Sequence, residues 1–168
     1  MGLYGGNGKP GWFLDLNPKG QVPVLWLPSG RVITESDAIL DHLASLDGRK
    51  AGQPNPLIPP QKAPFKKWRS LLPPFLKGAR TAVERGDSPG LSSLLFKLNK
   101  DMPTPGPYLA GDSFSIADAS VLPFVQRLVE EHGDVVKEAA PKLHEWFELC
   151  AERQSFRVTR VPGWWWWW

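Results

Sequence analysis

The chain has 168 residues, enough for one or two small domains with a true core. Its 20 Lys and Arg against 17 Asp and Glu leave a net charge of +3, too slight a bias to argue for nucleic acid and fitting an ordinary solvated surface. A single cysteine, Cys150, excludes an internal disulfide and permits a reducing compartment, and no run approaches the apolar length of a membrane span.

Residues 1–8, MGLYGGNG, are glycine-rich and read as loose. A phosphate-cradling loop needs a strand before it, and none precedes this one. The start is neither a signal peptide nor an Arg- and Ser-rich transit peptide. Trp12, Phe13, Leu14 and Leu16 form a short packing segment. Pro18 and Gly20 in NPKGQ mark a turn. The apolar run VPVLWL, residues 22–27, predicts a strand buried on both faces. Pro28-Ser29-Gly30 reverses the chain again, and RVITE, residues 31–35, is the returning strand of a hairpin. Ser36 is placed as the N-cap of a helix, with Asp37 in its first turn and Ala38, Ile39, Leu40 and Leu43 on its apolar side. Turn, strand, turn, strand and helix make half of a small α/β domain, 1–47.

Residues 48–60, rich in Gly and Pro without periodicity, read as an inter-domain linker. From 61 to 163 the pattern is helical. The segment 63–72 sets Phe65, Trp68, Leu71 and Leu72 on one face, Pro73-Pro74 is expected to break or kink it, and 74–86 continues it. Asp87 to Gly90 is another break, 91–100 a further amphipathic helix, and Met102 to Pro107 a Pro-rich turn. In PYLAGDSFSIADASVLPFVQRLVEE, Ser115 is the expected N-cap, and Asp118 three residues on completes a capping box. Phe114 holds the staple position, opposite a small Ala119. The helix that follows is apolar almost throughout, which makes it central, and Pro123 is expected to bend it. In APKLHEWFELCAER, Leu143, Trp146, Phe147 and Cys150 face inward. The chain closes on five tryptophans, 164–168, with no adjacent basic cluster to make them a specific membrane anchor; exposed, they are an aggregation liability.

Two of these stretches resemble one family. N-P-x-G-x-V-P-V-L followed by E-S-x-A-I is similar to the second half of the thioredoxin-like domain of cytosolic glutathione transferases, and KPGWFLDLNP resembles most its cysteine-type members, the dehydroascorbate reductases and the omega and lambda classes. G-D-x-F-S-I-A-D-A resembles the opening of the buried central helix in the all-helical domain of the same family, where its Ser and Asp serve folding. The resemblance covers residues 9–161 with both motifs in order. It implies a fold of α/β plus all-α class: a partial thioredoxin-like domain followed by an all-helical C-terminal domain.

The resemblance also implies a glutathione site. At Val22-Pro23 the family has a cis proline, which leaves the residue before it free to pair with the cysteinyl part of glutathione as an added strand; the plainer alternative is that Pro23 ends an edge strand. Glu35 and Ser36 stand at a helix N-terminus, suited to the ammonium and carboxylate of the γ-glutamyl group, or to capping alone. Lys9 matches the family lysine that meets the glycyl carboxylate, or is simply solvated. The family's catalytic Cys, Ser or Tyr lies on an earlier strand and helix for which eight residues leave no room. Tyr4 is too close to Lys9 to serve, and Cys150 lies at an apolar helix position where thiols are inert. His42, His132 and His144 show no metal-ligand spacing. The expectation is therefore a truncated glutathione-dependent transferase or thiol–disulfide reductase, weakly active or inactive, with an unidentified electrophilic or oxidised second substrate. Its compartment reads as cytoplasmic with an organelle left open, and monomer or homodimer is undecided. The alternatives are a non-enzymatic interaction module, and a native polypeptide that begins upstream with its own catalytic Cys.

Overall fold

Prolines and glycines set the path of the first unit. In the computed structural model, which describes residues 8–46, 55, 57–58, 62–102 and 106–160, the chain divides into two compact units, Met1–Gln53 and Pro54–Trp168. Pro10 precedes a one-and-a-half-turn helix, α1 (Gly11–Leu16). The next four residues close a turn, with the Gly20 N–H donating to the Asn17 C=O at 2.8 Å. Pro18 stands second in that turn and Gly20 fourth at φ 63, the places where a fixed φ and a positive φ are wanted. The buried Asn17 side chain donates to the Gln21 C=O at 2.7 Å and locks the exit of the turn.

Strands β1 (Val24–Trp26) and β2 (Val32–Thr34) then pair antiparallel, with Val24 opposite Thr34, Leu25 opposite Ile33 and Trp26 opposite Val32. The loop between them is closed by Gly30 N–H to Leu27 C=O and Leu27 N–H to Arg31 C=O, both 2.9 Å. The apolar run 22–27 does not form the doubly buried strand expected of it. Only three of its residues are strand, and Trp26 is 62% exposed. The sheet among the described residues has two strands, and a ribbon has no interior strand to be covered on both faces. Helix α2 (Ser36–Ser45) follows β2 directly. It buries only Ala44, while Leu43 is left half-exposed.

The second unit is helical: α3 (Lys62–Glu84), α4 (Ser88–Asp101), α5 (Ile116–Ala139), α6 (Pro141–Ala151) and α7 (Gln154–Thr159). Pro73-Pro74 does not break α3, which runs 23 residues through it. Trp68 and Leu72 before the prolines, and Phe75, Ala79 and Ala82 after them, are all buried in one core. That burial outweighs the lost hydrogen bonds. Helix α3 ends where Gly86, at φ 65, gives its N–H to the Val83 C=O and the Asp87 N–H reaches the Ala82 C=O, a two-bond closure that only a left-handed residue allows. Asp87 to Gly90 is shorter as a break than expected: Asp87 caps α4, its carboxylate accepting the Gly90 N–H at 2.9 Å, with Pro89 in the first turn.

The centre of this unit is Asp118, fully buried. The capping box expected of Ser115 and Asp118 is formed. The Ser115 N–H donates to Asp118 Oδ2 at 2.8 Å, and Ser115 Oγ accepts from the Ala117 N–H at 3.2 Å. Phe114 packs edge-on to Tyr108, 5.9 Å between centroids, and under the Arg153 guanidinium at 4.0 Å. Pro123 stands inside α5 with helical backbone angles, and the interior residue that leaves them is His132 (φ −139, ψ 36). Leu143, Trp146, Phe147 and Cys150 face inward from α6 as read. Helix α7, with Phe156 buried edge-on to Phe147, was not legible as a separate element. Residues 1–7, most of the linker, 103–105 and the five tryptophans lie outside the described residues.

Candidate functional site

One end of the hairpin gathers the residues singled out from the sequence. Continuing the β1–β2 register two residues past the ladder places Pro23 across from Glu35 and Val22 across from Ser36. All four are exposed. The Val22–Pro23 peptide is cis, as the resemblance implies. Val22 is 59% exposed and has no hydrogen bond among the described residues, so an extended ligand can pair along it as an added strand.

Across from it, the chain turns from β2 into α2 through Glu35, whose φ is 72 and ψ 123. A non-glycine residue held there costs on the order of 1–3 kcal/mol, and such strain gathers at functional sites. Ser36 is not the N-cap expected of it. It is the first helical residue, Glu35 takes the cap position, and no side chain caps the helix. The physical reason is the sharp exit from β2: with Glu35 at positive φ, the chain enters helical geometry one residue early. The first helical bond is Ile39 N–H to Glu35 C=O at 3.1 Å. The amides of Ser36 and Ala38 have no acceptor among the described residues, and they stand at the positive end of the α2 dipole. An uncapped helix start presents donors to a carboxylate, and the Glu35 carboxylate beside it can accept from an ammonium.

Lys9 reaches the same unit by its side chain. Its Nζ donates to the Gly20 C=O and lies 5.4 Å from the Phe13 ring centroid. The turn that Gly20 closes ends three residues before Pro23. The bond to Gly20 aims the Lys9 ammonium within this unit. No sequence signal points to Gly20 and Phe13 as its supports. The strain at Glu35 was equally hidden, because Glu is not a residue expected at positive φ.

Cys150 is completely buried in the helical unit. Desolvation, and secondarily the nearby Asp118 carboxylate, push its thiol up to about 12, only partly opposed by Arg153. A thiol so held supplies no thiolate. No helix among the described residues is long and apolar enough to cross a membrane.

Residues 4–46 match the family model described as "Glutathione S-transferase, N-terminal domain", and residues 36–149 that described as "Glutathione S-transferase, C-terminal domain". The chain is 30% identical over 175 residues to a rice protein named "Probable glutathione S-transferase DHAR1, cytosolic" (Oryza sativa subsp. japonica), covering 98% of this chain and 79% of that one. It is 32% identical over 150 residues to the mouse "Glutathione S-transferase omega-1" (Mus musculus), covering 82% of this chain but only 60% of the mouse protein. Among solved structures, "Ure2p in Complex with Glutathione" superposes with a TM-score of 0.68 at 22% identity, over 92% of this chain and 82% of that one; at that identity the likeness is one of fold.

Proposed function

The chain belongs to the glutathione S-transferase family, and from that premise we propose that its first unit binds glutathione through Lys9, Val22, Pro23, Glu35 and Ser36. In this reading the backbone of Val22 pairs with the cysteinyl residue of the tripeptide. The Ser36 end of α2 takes the γ-glutamyl carboxylate, Glu35 its ammonium, and Lys9 the glycyl carboxylate. The observation that carries the reading is the uncapped start of α2. Two of its amides have no acceptor among the described residues, beside a Glu35 held at φ 72, at the same hairpin end as the open edge of Val22. A helix built only for stability would place a capping side chain there.

The activity class is glutathione-dependent transfer or thiol–disulfide exchange of the dehydroascorbate-reductase kind, on an electrophilic or oxidised small molecule. Turnover is expected to be weak or absent, since the proposed site's described residues orient glutathione in this reading but supply no group to activate its sulfur. The compartment is cytoplasmic or an organelle, and the protein acts as a monomer or homodimer. A second reading, a non-enzymatic interaction module, draws on the exposed Trp12, Trp26 and Leu46 of the first unit, each at least 60% exposed.

Calorimetric titration with reduced glutathione, beside the double variant Glu35→Ala/Ser36→Ala, separates the two. Saturable binding that disappears in the variant is expected. Binding that survives the double substitution, or no binding by the parent chain, removes the proposed site and leaves the interaction module.

A further inference from the structure

The chain's small net charge hides an uneven distribution. Residues 62–101, which fold into α3 and α4, carry nine of the 20 Lys and Arg but three of the 17 Asp and Glu, a net +6 that leaves −3 for all the rest. The two helices lie antiparallel. Lys67 Nζ near the start of α3 donates to the Asp101 C=O at the end of α4 at 2.9 Å, and further along Gly78 faces the Leu94 side chain. Because α3 runs unbroken through Pro73-Pro74, its lysines stand on one firm helix. Leu91, Leu95 and Leu98 turn into the core, so the helical period sends Phe96, Lys97 and Lys100 outward. All three are exposed, Phe96 by 65%. Lys66 and Lys67 are exposed at the same end of the pair, and the bond from the Lys142 N–H to Asn99 Oδ1 at 2.9 Å brings a fifth lysine, at the start of α6, beside them. Two of the three acids are engaged at the opposite end, Glu84 with Arg80 at 2.7 Å and Asp87 as the α4 cap; the third, Asp101, is half-buried. Beyond Lys142 the exposed side of α6 turns acidic at Glu145 and Glu148, which bounds the patch.

We propose that this end of the helical unit docks on an anionic lipid surface, with Phe96 entering the headgroup region and Lys66, Lys67, Lys97 and Lys100 meeting the negative charges around it. The inference goes beyond the glutathione reading and needs nothing of the first unit. Charge complementarity sets the sign of the partner. None of these four lysines has an ion pair among the described residues, so their field is directed outward and reaches about one Debye length, roughly 8–10 Å, into solvent. The residue types set its kind. Lysine is a compact, strongly hydrated charge, depleted in protein–protein interfaces and lacking the fork that clasps a single phosphate. Lysines ringing an exposed aromatic suit instead a surface of many anionic headgroups, where each lysine strengthens binding about fivefold and the ring adds buried apolar area.

Sedimentation of the whole chain with sucrose-loaded vesicles tests this, with phosphatidylcholine alone and with phosphatidylcholine containing about a third phosphatidylserine, at about 0.1 M and about 0.5 M salt. Binding to the anionic vesicles is expected at the lower salt and should fall about tenfold or more at the higher. Lys97→Gln/Lys100→Gln should weaken it about 25-fold, two lysines' worth, and Lys66→Gln/Lys67→Gln as much; two pairs on different helices guard against a local folding defect in either. Phe96→Ser should weaken it several-fold with the charge intact. Arg85→Gln/Arg157→Gln, the same loss of charge outside the patch, should leave it within about twofold. Equal binding to both vesicle types, binding undiminished in either lysine pair, an equal loss in Arg85→Gln/Arg157→Gln, or no binding by the parent chain overturns the docking surface. Unchanged affinity in Phe96→Ser, or tighter binding of the parent chain to poly-L-glutamate than to the anionic vesicles, overturns the bilayer as the occupant and points to an acidic protein.

Discussion

Replacing Asp118 by alanine should cost more stability than any other single polar substitution in the helical unit. Its two carboxylate oxygens accept four donors. The Leu109 N–H and the Trp146 Nε1–H reach Oδ1 at 2.9 Å each, and the Ser115 N–H and hydroxyl reach Oδ2 at 2.8 and 3.0 Å. These bonds tie the loop before α5, the start of α5 and the middle of α6 to a single fully buried side chain. Asp118→Ala strands three N–H donors where water does not reach, at about 1–3 kcal/mol each. Because the bonds belong to one coupled network and are not additive, about 4 kcal/mol or more is expected, against a total of about 5–15 kcal/mol for a domain. Ser115→Ala removes one capping acceptor and should cost about 0.5–2 kcal/mol. Asp118→Asn should fall between them, since its amide oxygen can replace Oδ1 while its NH2 meets the Ser115 N–H donor to donor. Urea unfolding followed by far-ultraviolet circular dichroism gives the three values. An Asp118→Ala chain within about 1 kcal/mol of the parent, or less destabilised than Ser115→Ala, would show that the network does not hold the unit together.

Three other outcomes are expected. Glu35→Gly should leave stability unchanged or raise it by up to about 1 kcal/mol, because relieved strain at φ 72 offsets glycine's larger unfolded entropy; glutathione binding should nonetheless fall, and a parallel loss of stability would mark Glu35 as structural only. Gly86→Ala should cost about 1–2 kcal/mol by thermal unfolding, all of it backbone, since nothing lies within 4 Å of the added methyl. Cys150 should resist iodoacetamide at pH 8 in the folded chain and react after urea. Because its thiol is raised from 9.0 to about 12 on folding, the stability it lends is complete below pH 9 and is lost as the pH rises between those values. Rapid alkylation of the folded chain would contradict the burial.

What the sequence determined by itself was whatever short-range chemistry encodes. The turn at Pro18 and Gly20, the hairpin, the Ser115–Asp118 box and the inward face of α6 are each written in a few adjacent residues whose φ preferences or hydrogen-bonding groups admit little else. The two family-like motifs lay in those same stretches, which is why the residues of the proposed glutathione site could be named before any coordinate. The tertiary structure decided what depends on neighbours far along the chain. Pro73-Pro74 reads as a helix breaker locally, yet α3 runs through because Trp68, Leu72, Phe75 and Ala79 are buried on both sides of it. Ser36 reads as a cap, but the strand before it delivers Glu35 at positive φ and moves the helix start by one residue. The lysine patch at the end of α3 and α4 needed the fold as well, because its halves meet where Lys67 reaches Asp101, 34 positions on, and only helix packing brings them together.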